Sequence, residues 1–211
     1  MNALDEITRS RVVAVLRAAD AARFADVAAV LAEAGIRCIE FTLSSAGALD
    51  ALRKFTEASP PGVVVGAGTV LDAESASAAV DSGAAYLISP ALCLDVVARA
   101  GELGVPVLPG AFSPSEILQA WRSGASAVKV FPASQAGGPD YIRAIRAPLP
   151  QIPLVPTGGI SIADAPEYLR AGAVAVGLGR PLVGDAGADG DLDALRQRAE
   201  ELVRRIGDVP T

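Results

Sequence analysis

Lys129 and Glu40 are the side chains whose types and surroundings point most directly to covalent chemistry. Lys129 is one of two lysines in 211 residues, the other being Lys54. It lies in Ala127-Val128-Lys129-Val130-Phe131-Pro132, an apolar run that reads as a buried parallel strand. An ammonium in such a place is costly unless it is paired or gives up its proton. Desolvation favours the neutral amine, the nucleophile that Schiff-base chemistry on a ketone requires. Glu40 sits in a similar run, Cys38-Ile39-Glu40-Phe41. A core-facing acid is equally costly without a task, and beside such a lysine it could move protons. The structural alternatives are a lysine that snorkels or pairs for stability, and a glutamate on a rim.

The bulk composition narrows the chemistry. There is no histidine, which excludes His-based triads, bases and zinc sites. The net charge of −6 leaves no basic stripe for nucleic acid, although a local arginine cluster could hold a small anion. Cys38 and Cys93 form no CxxC pair and read as reduced thiols. Residues Met1 to Arg11 carry Asp5, Glu6, Arg9 and Arg11 and lack the apolar centre of a secretory signal. No apolar run approaches the ~20 residues of a membrane span. A cytoplasmic protein with no membrane partner is expected.

These side chains must be positioned by a repeated strand–helix unit. Eight strands are predicted: Val12–Arg17, Cys38–Leu43, Val63–Val70, Tyr86–Pro90, Val105–Gly110, Ala127–Ala133, Pro153–Gly159 and Ala173–Gly179. They are short, non-alternating and rich in Val, Ile and Leu, as strands covered on both faces should be. Helical stretches such as Ala21–Ala34 and Ala73–Asp81 lie between them, and Gly184–Gly190 reads as a loop before the last helix. Gly35, Gly83, Gly104, Gly124 and Gly172 end helices, and Asp72, Ser113 and Ser161 open them. The expectation is a single (β/α)8 TIM barrel over residues 1–211, with a doubly wound open sheet as runner-up. No Gly-x-Gly-x-x-Gly follows the first strand, which weakens a dinucleotide-binding version.

A barrel places its site at the carboxyl ends of the strands. Arg17, Glu40, Thr69, Pro90, Lys129, Thr157, Gly158, Gly159, Gly179 and Arg180 all fall there. Thr69 and Thr157 could be mere strand-end caps, Arg17 an ion-pair partner, and Gly158-Gly159 a simple turn. Two glycines at a strand–helix junction also expose N–H groups that bind anions.

The segments Val13-Ala14-Val15-Leu16-Arg17, Ile39-Glu40-Phe41-Thr42-Leu43, Gly66-Ala67-Gly68-Thr69, Ile88-Ser89-Pro90, Val128-Lys129-Val130-Phe131-Pro132 and Pro156-Thr157-Gly158-Gly159 occur in this order. Together they resemble the bacterial 2-keto-3-deoxy-6-phosphogluconate and 4-hydroxy-2-oxoglutarate aldolases over nearly the whole chain. The resemblance implies a homotrimer and a class I, metal-free reaction without a cofactor. It implies a 2-keto acid substrate cleaved to pyruvate and an aldehyde. Lys129 then corresponds to the Schiff-base lysine and Glu40 to the general acid/base. Thr69, Pro90 and Thr157 correspond to the pyruvate site, and Gly158, Gly159 and the Gly179-Arg180 turn to the phosphate end.

Two departures stand out. Several family members carry arginine at the position of Ser44, a charge that Arg17 could replace. Family members often carry a small serine where this chain has Arg180, which could grip phosphate or fill the pocket and select a shorter dicarboxylate. Substrates in the same family include 4-hydroxy-2-oxoglutarate and 2-dehydro-3-deoxy-6-phosphogalactonate. Outside it, an isomerase or epimerase of a sugar phosphate, or a non-catalytic ligand-binding barrel, would share the glycine-rich end but need no imine lysine.

Overall fold

The computed structural model describes residues 2–210; Met1 and Thr211 lie outside it. Nine short strands are all parallel: β1 (Val12–Leu16), β2 (Cys38–Thr42), β3 (Val64–Gly68), β4 (Leu87–Ile88), β5 (Val107–Leu108), β6 (Gly110–Ala111), β7 (Val128–Val130), β8 (Leu154–Pro156) and β9 (Val176–Leu178). Six form one sheet in the order β5-β4-β3-β2-β1-β9, and three form a second in the order β6-β7-β8. β5 and β6 are one run of chain interrupted at Pro109, which has no N–H to donate to a ladder. The Lys129 amide nonetheless donates to the Pro109 carbonyl at 3.0 Å. A bridge between Thr157 and Gly177 joins β8 to β9. The result is an α/β fold on a curled parallel sheet. First-strand to last-strand pairing, with sequential order between, is not the reversing order of a doubly wound sheet.

The observed strands are shorter than the predicted ones. Arg17, Thr69, Pro90 and Gly158, all within predicted strands, lie one or two residues past the observed strand ends. Their backbone turns away to form loops, which frees the side chains for a site.

Alternation sorts each strand between two apolar cores. Ile39, Phe41, Val128, Val130 and Leu154 face the helices. Val13, Cys38, Tyr86, Ile88, Leu108, Ala127, Val155 and Ala175 face inward on the concave side. Lys129 stands two residues from Ala127, and Glu40 two from Cys38, so both point inward by the period of two. The glycines at positions 35, 83, 104, 124 and 172 adopt positive φ between 68° and 103°, as a helix-ending residue with no Cβ can. Asp72 and Ser113 cap α4 (Ala73–Asp81) and α6 (Pro114–Arg122), the latter with the capping box completed by Glu116. The Ser161 hydroxyl accepts from the Asp164 amide ahead of α9 (Ala165–Arg170).

One element was not foreseen. Residues Ala3–Ser10 form helix α1, started by an Asn2–Asp5 capping box. Ala3 and Ile7 join the inner core, so this helix covers the amino ends of the strands. Its charged residues mask the stripe in the sequence: Glu6 is buried, yet held by both nitrogens of an Arg9 fork at 2.7–3.0 Å. With that end covered, the inner face opens to solvent at the carboxyl ends. Cys38 lies deep in the same core, and burial pushes its thiol pKa up to about 12. It is therefore an inert thiol.

Candidate active site

Lys129 on β7 and Glu40 on β2 meet across the inner face. The Nζ atom is 3.9 Å from Oε2, and the side chains are only 7% and 1% exposed. That separation is within ion-pair range but too long for a direct hydrogen bond. Both Glu40 carboxylate oxygens are buried without a hydrogen-bond partner among the described residues. A buried carboxylate normally collects several donors, so its orphaned state costs stability. Expensive polar groups of this kind persist where chemistry uses them. Lys129 Nζ also stands 5.3 Å from the centroid of the Phe131 ring, which shields one side of the amine from water.

Glycine makes the room for this pair. A Cβ on Gly68 would lie 1.7 Å from Glu40 Oε1, and one on Gly66 would lie 2.3 Å from the Tyr86 ring. Tyr86 fills the floor beneath Glu40, with its hydroxyl also unpartnered and its pKa raised by burial, then by Cys38 and Glu40. The Gly66-Ala67-Gly68 segment is thus shaped by side-chain volume on the inner face. A Gly68→Ala change should displace the carboxylate and lower kcat by about 10²-fold, the cost of an ångström-scale misplacement. Gly101→Ala on α5 (Leu94–Leu103), where nothing lies within 4 Å, is the matched control. Steady-state rates on both variants check this; near-wild-type turnover by folded Gly68→Ala protein contradicts it.

Above the pair, Arg17 extends from the end of β1. Its Nη1 donates to Ser44 Oγ at 3.1 Å and its Nη2 to Thr69 Oγ1 at 2.9 Å. Ser44, the position of the first departure, therefore helps hold the Arg17 guanidinium. Thr69 has φ of 59°, left-handed backbone that a β-branched residue rarely adopts. Such strain is kept where surrounding structure demands it, often at functional sites.

The remaining predicted residues close the ring. Thr157 is buried against Gly177, whose Cβ would come within 2.3 Å of Thr157 Oγ1. Pro90 packs its backbone on Gly110, where a Cβ would lie 2.3 Å from the Pro90 carbonyl. Gly158 and Gly159 both have positive φ, 94° and 73°. Their amides donate to no protein acceptor among the described residues, leaving two N–H groups available to an anion.

A cavity of about 440 Å³ unites these parts. Arg17, Thr69, Pro90, Lys129, Phe131, Thr157, Gly158, Gly159, Gly179 and Arg180 all line it. Every predicted site residue lines it except Glu40, which lies behind the lining, 3.9 Å from Lys129 Nζ. Arg180 does not fill the cavity: its guanidinium turns outward to Asp185 at 3.4 Å. Sequence reasoning missed Phe131, Gly68 and the Arg17–Ser44 contact. Phe131 was legible only as the neighbour of Lys129, and the other two depend on which strands lie side by side. Among the described residues, no group of three or more His, Cys, Asp or Glu could hold a metal ion.

Comparison with known proteins yields a consistent set. The family model for KDPG and KHG aldolases matches residues 4–197. A 2-dehydro-3-deoxy-phosphogluconate aldolase of Pseudomonas aeruginosa is 35% identical over 198 residues, covering 93% of this chain and 88% of the relative. The 2-keto-3-deoxy-6-phosphogluconate aldolase of Zymomonas mobilis, solved with 3-phosphoglycerate, superposes with a TM-score of 0.85 at 30% identity, over 95% of this chain and 94% of that one. A KDPG aldolase of Legionella pneumophila, solved with pyruvate as a covalent carbinolamine, gives a TM-score of 0.82 at 26% identity, over 100% and 99% of the two chains.

Proposed function

The chain belongs to the KDPG and KHG aldolase family, and we propose that it cleaves a 2-keto-3-deoxy-6-phosphosugar acid to pyruvate and glyceraldehyde 3-phosphate through an imine on Lys129. The observation that carries the mechanism is the buried Lys129–Glu40 pair on one inner face, with a carboxylate that has no hydrogen-bond partner among the described residues. The finer architecture we assign is one closed (β/α)8 barrel in a single domain. The β8–β9 bridge and the chain continuity of β5 and β6 through Pro109 support it, since they link both edges of the two sheets.

The reaction follows from the geometry. Neutral Lys129 Nζ attacks the C2 ketone, and loss of water gives a protonated imine. That imine accepts the electron pair of the C3–C4 bond. Glu40, directly or through a water, takes the proton of the C4 hydroxyl as the bond breaks, and the aldehyde departs. The enamine left on Lys129 is then protonated at C3, with Glu40 returning the proton. Water hydrolyses the resulting imine, releasing pyruvate and the free amine. Arg17, steadied by Ser44 and Thr69, is placed to pair with the C1 carboxylate. The Gly158-Gly159 amides suit the distal phosphate. Pro90 and Thr157 shape the wall beside the imine.

Borohydride reduction in the presence of pyruvate tests this reading. One covalent adduct of pyruvate is expected, and peptide mass spectrometry should locate it at Lys129. An unlabelled protein that still binds a sugar phosphate would instead favour an isomerase-type barrel.

A homotrimer is the assembly we assign from the family likeness. Leu71 and Phe112, 54% and 46% exposed on loops following β3 and β6, and Leu94, 45% exposed at the start of α5, offer apolar surface for it. Sedimentation equilibrium checks it against the 21.3 kDa chain mass. Among the described residues no helix is long and apolar enough to cross a membrane. Two free cysteines suit the reducing cytoplasm we assign.

A further inference from the structure

We infer that Asp185 biases the choice between phosphate and carboxylate at the far end of the substrate, by holding Arg180 as an exchangeable partner. The inference rests on the aldolase reading above and specifies its substrate class. The Lys129 cavity meets a second one of about 380 Å³ at Val15, Arg17, Gly179 and Arg180. Asp185 lines only the second, so Arg180 stands at the junction with its partner on the outer side. The two side chains are 85% and 70% exposed, and their closest contact is 3.4 Å. A pair so open and so loose contributes little and separates at little cost.

The charges around the junction give the pair its meaning. Besides Lys129, the joined cavities are lined by two guanidiniums and one carboxylate. Among the described residues Arg17 is hydrogen-bonded only to hydroxyls, so its charge meets no anionic competitor there. Arg180 alone has one. A phosphate seated by the Gly158-Gly159 amides carries up to two negative charges and three acceptor oxygens, and it outcompetes Asp185 for the guanidinium. A substrate carboxylate is chemically the equal of Asp185 and gains little from the exchange. Asp185 is thus a positioning residue that penalises carboxylate-ended 2-keto acids and spares phosphate-ended ones.

The test compares wild type, Asp185→Asn, Arg180→Ser and the double variant. Each is assayed for kcat/KM on 2-dehydro-3-deoxy-6-phosphogluconate and on 4-hydroxy-2-oxoglutarate. Asp185→Asn should raise kcat/KM for 4-hydroxy-2-oxoglutarate about two- to fivefold through KM, with little change for the phosphorylated substrate. Arg180→Ser should lower kcat/KM for the phosphorylated substrate about ten- to hundredfold. The effect of Asp185→Asn should vanish in the Arg180→Ser background, because the residue acts only through Arg180. Equal effects on both substrates, or an Asp185 effect that survives without Arg180, overturns the inference. Borohydride trapping of pyruvate on the same four proteins separates the two levels. Absence of trapping in wild type sinks the aldolase reading, whereas normal trapping with unmoved selectivity sinks the Asp185 inference alone.

Discussion

Replacing Lys129 with alanine is expected to lower cleavage by at least about 10⁴-fold, because the covalent route and the positioning it provides are lost together. Borohydride-dependent attachment of pyruvate should disappear in the same protein. The size of the effect follows from the lack of any substitute. The only other lysine, Lys54, lies on α3 (Ala48–Ala58), outside the cavity, and there is no histidine. Lys129→Arg refines the test. It keeps a cation opposite Glu40, but a guanidinium stays protonated and forms no imine. If Lys129→Arg is as inactive as Lys129→Ala while remaining folded, the amine is needed as a nucleophile and not as a charge. Either variant retaining most of the wild-type cleavage rate would contradict the assignment.

The residues that announce the site in the sequence are those whose polarity contradicts their surroundings. Lys129 and Glu40 are conspicuous because each interrupts an apolar strand, and strand parity then places both on the inner face. The strand–helix alternation is equally legible, since each βα unit carries its own apolar run, cap and terminating glycine. Three features are hidden because they arise from contacts between distant segments. Gly68 reads as one more small residue of its strand until β3 is laid beside β2 and its missing Cβ is seen to house a carboxylate. Ser44 looks like the loss of an arginine until it is found holding Arg17 from another strand. Helix α1 is hidden because its one buried acid is neutralised by its own neighbour Arg9, a pairing that hydropathy does not register. Arg180 is a different case. Its identity was visible, but its direction depends on Asp185 five residues later, on a loop whose path is set by tertiary packing.

Glu40→Gln should separate proton transfer from imine formation. Glutamine is nearly isosteric, so the fit against Gly68 and Tyr86 is preserved, but an amide does not accept the C4 hydroxyl proton. The expected loss in kcat for cleavage is about 10²–10⁴-fold, the usual range for a positioned acid or base. Trapping of pyruvate on Lys129 should persist in this variant, at reduced speed, because nucleophilic attack belongs to the amine. The pair of outcomes matters more than either alone. If trapping and cleavage fell together, Glu40 would be acting through Lys129, as a partner that holds the amine in place. If neither fell, the orphaned carboxylate would be structural, despite having no hydrogen bond to explain it. A Glu40→Ala protein adds a chemical control. It removes the whole carboxylate arm from an enclosed site beside Lys129, leaving space that a small acid can enter. Formate added to the assay should then restore part of the cleavage rate in Glu40→Ala and leave Lys129→Ala inactive. Formate supplies a base but no nucleophile, so recovery confined to the glutamate variant would assign the proton to Glu40 and the covalent bond to Lys129.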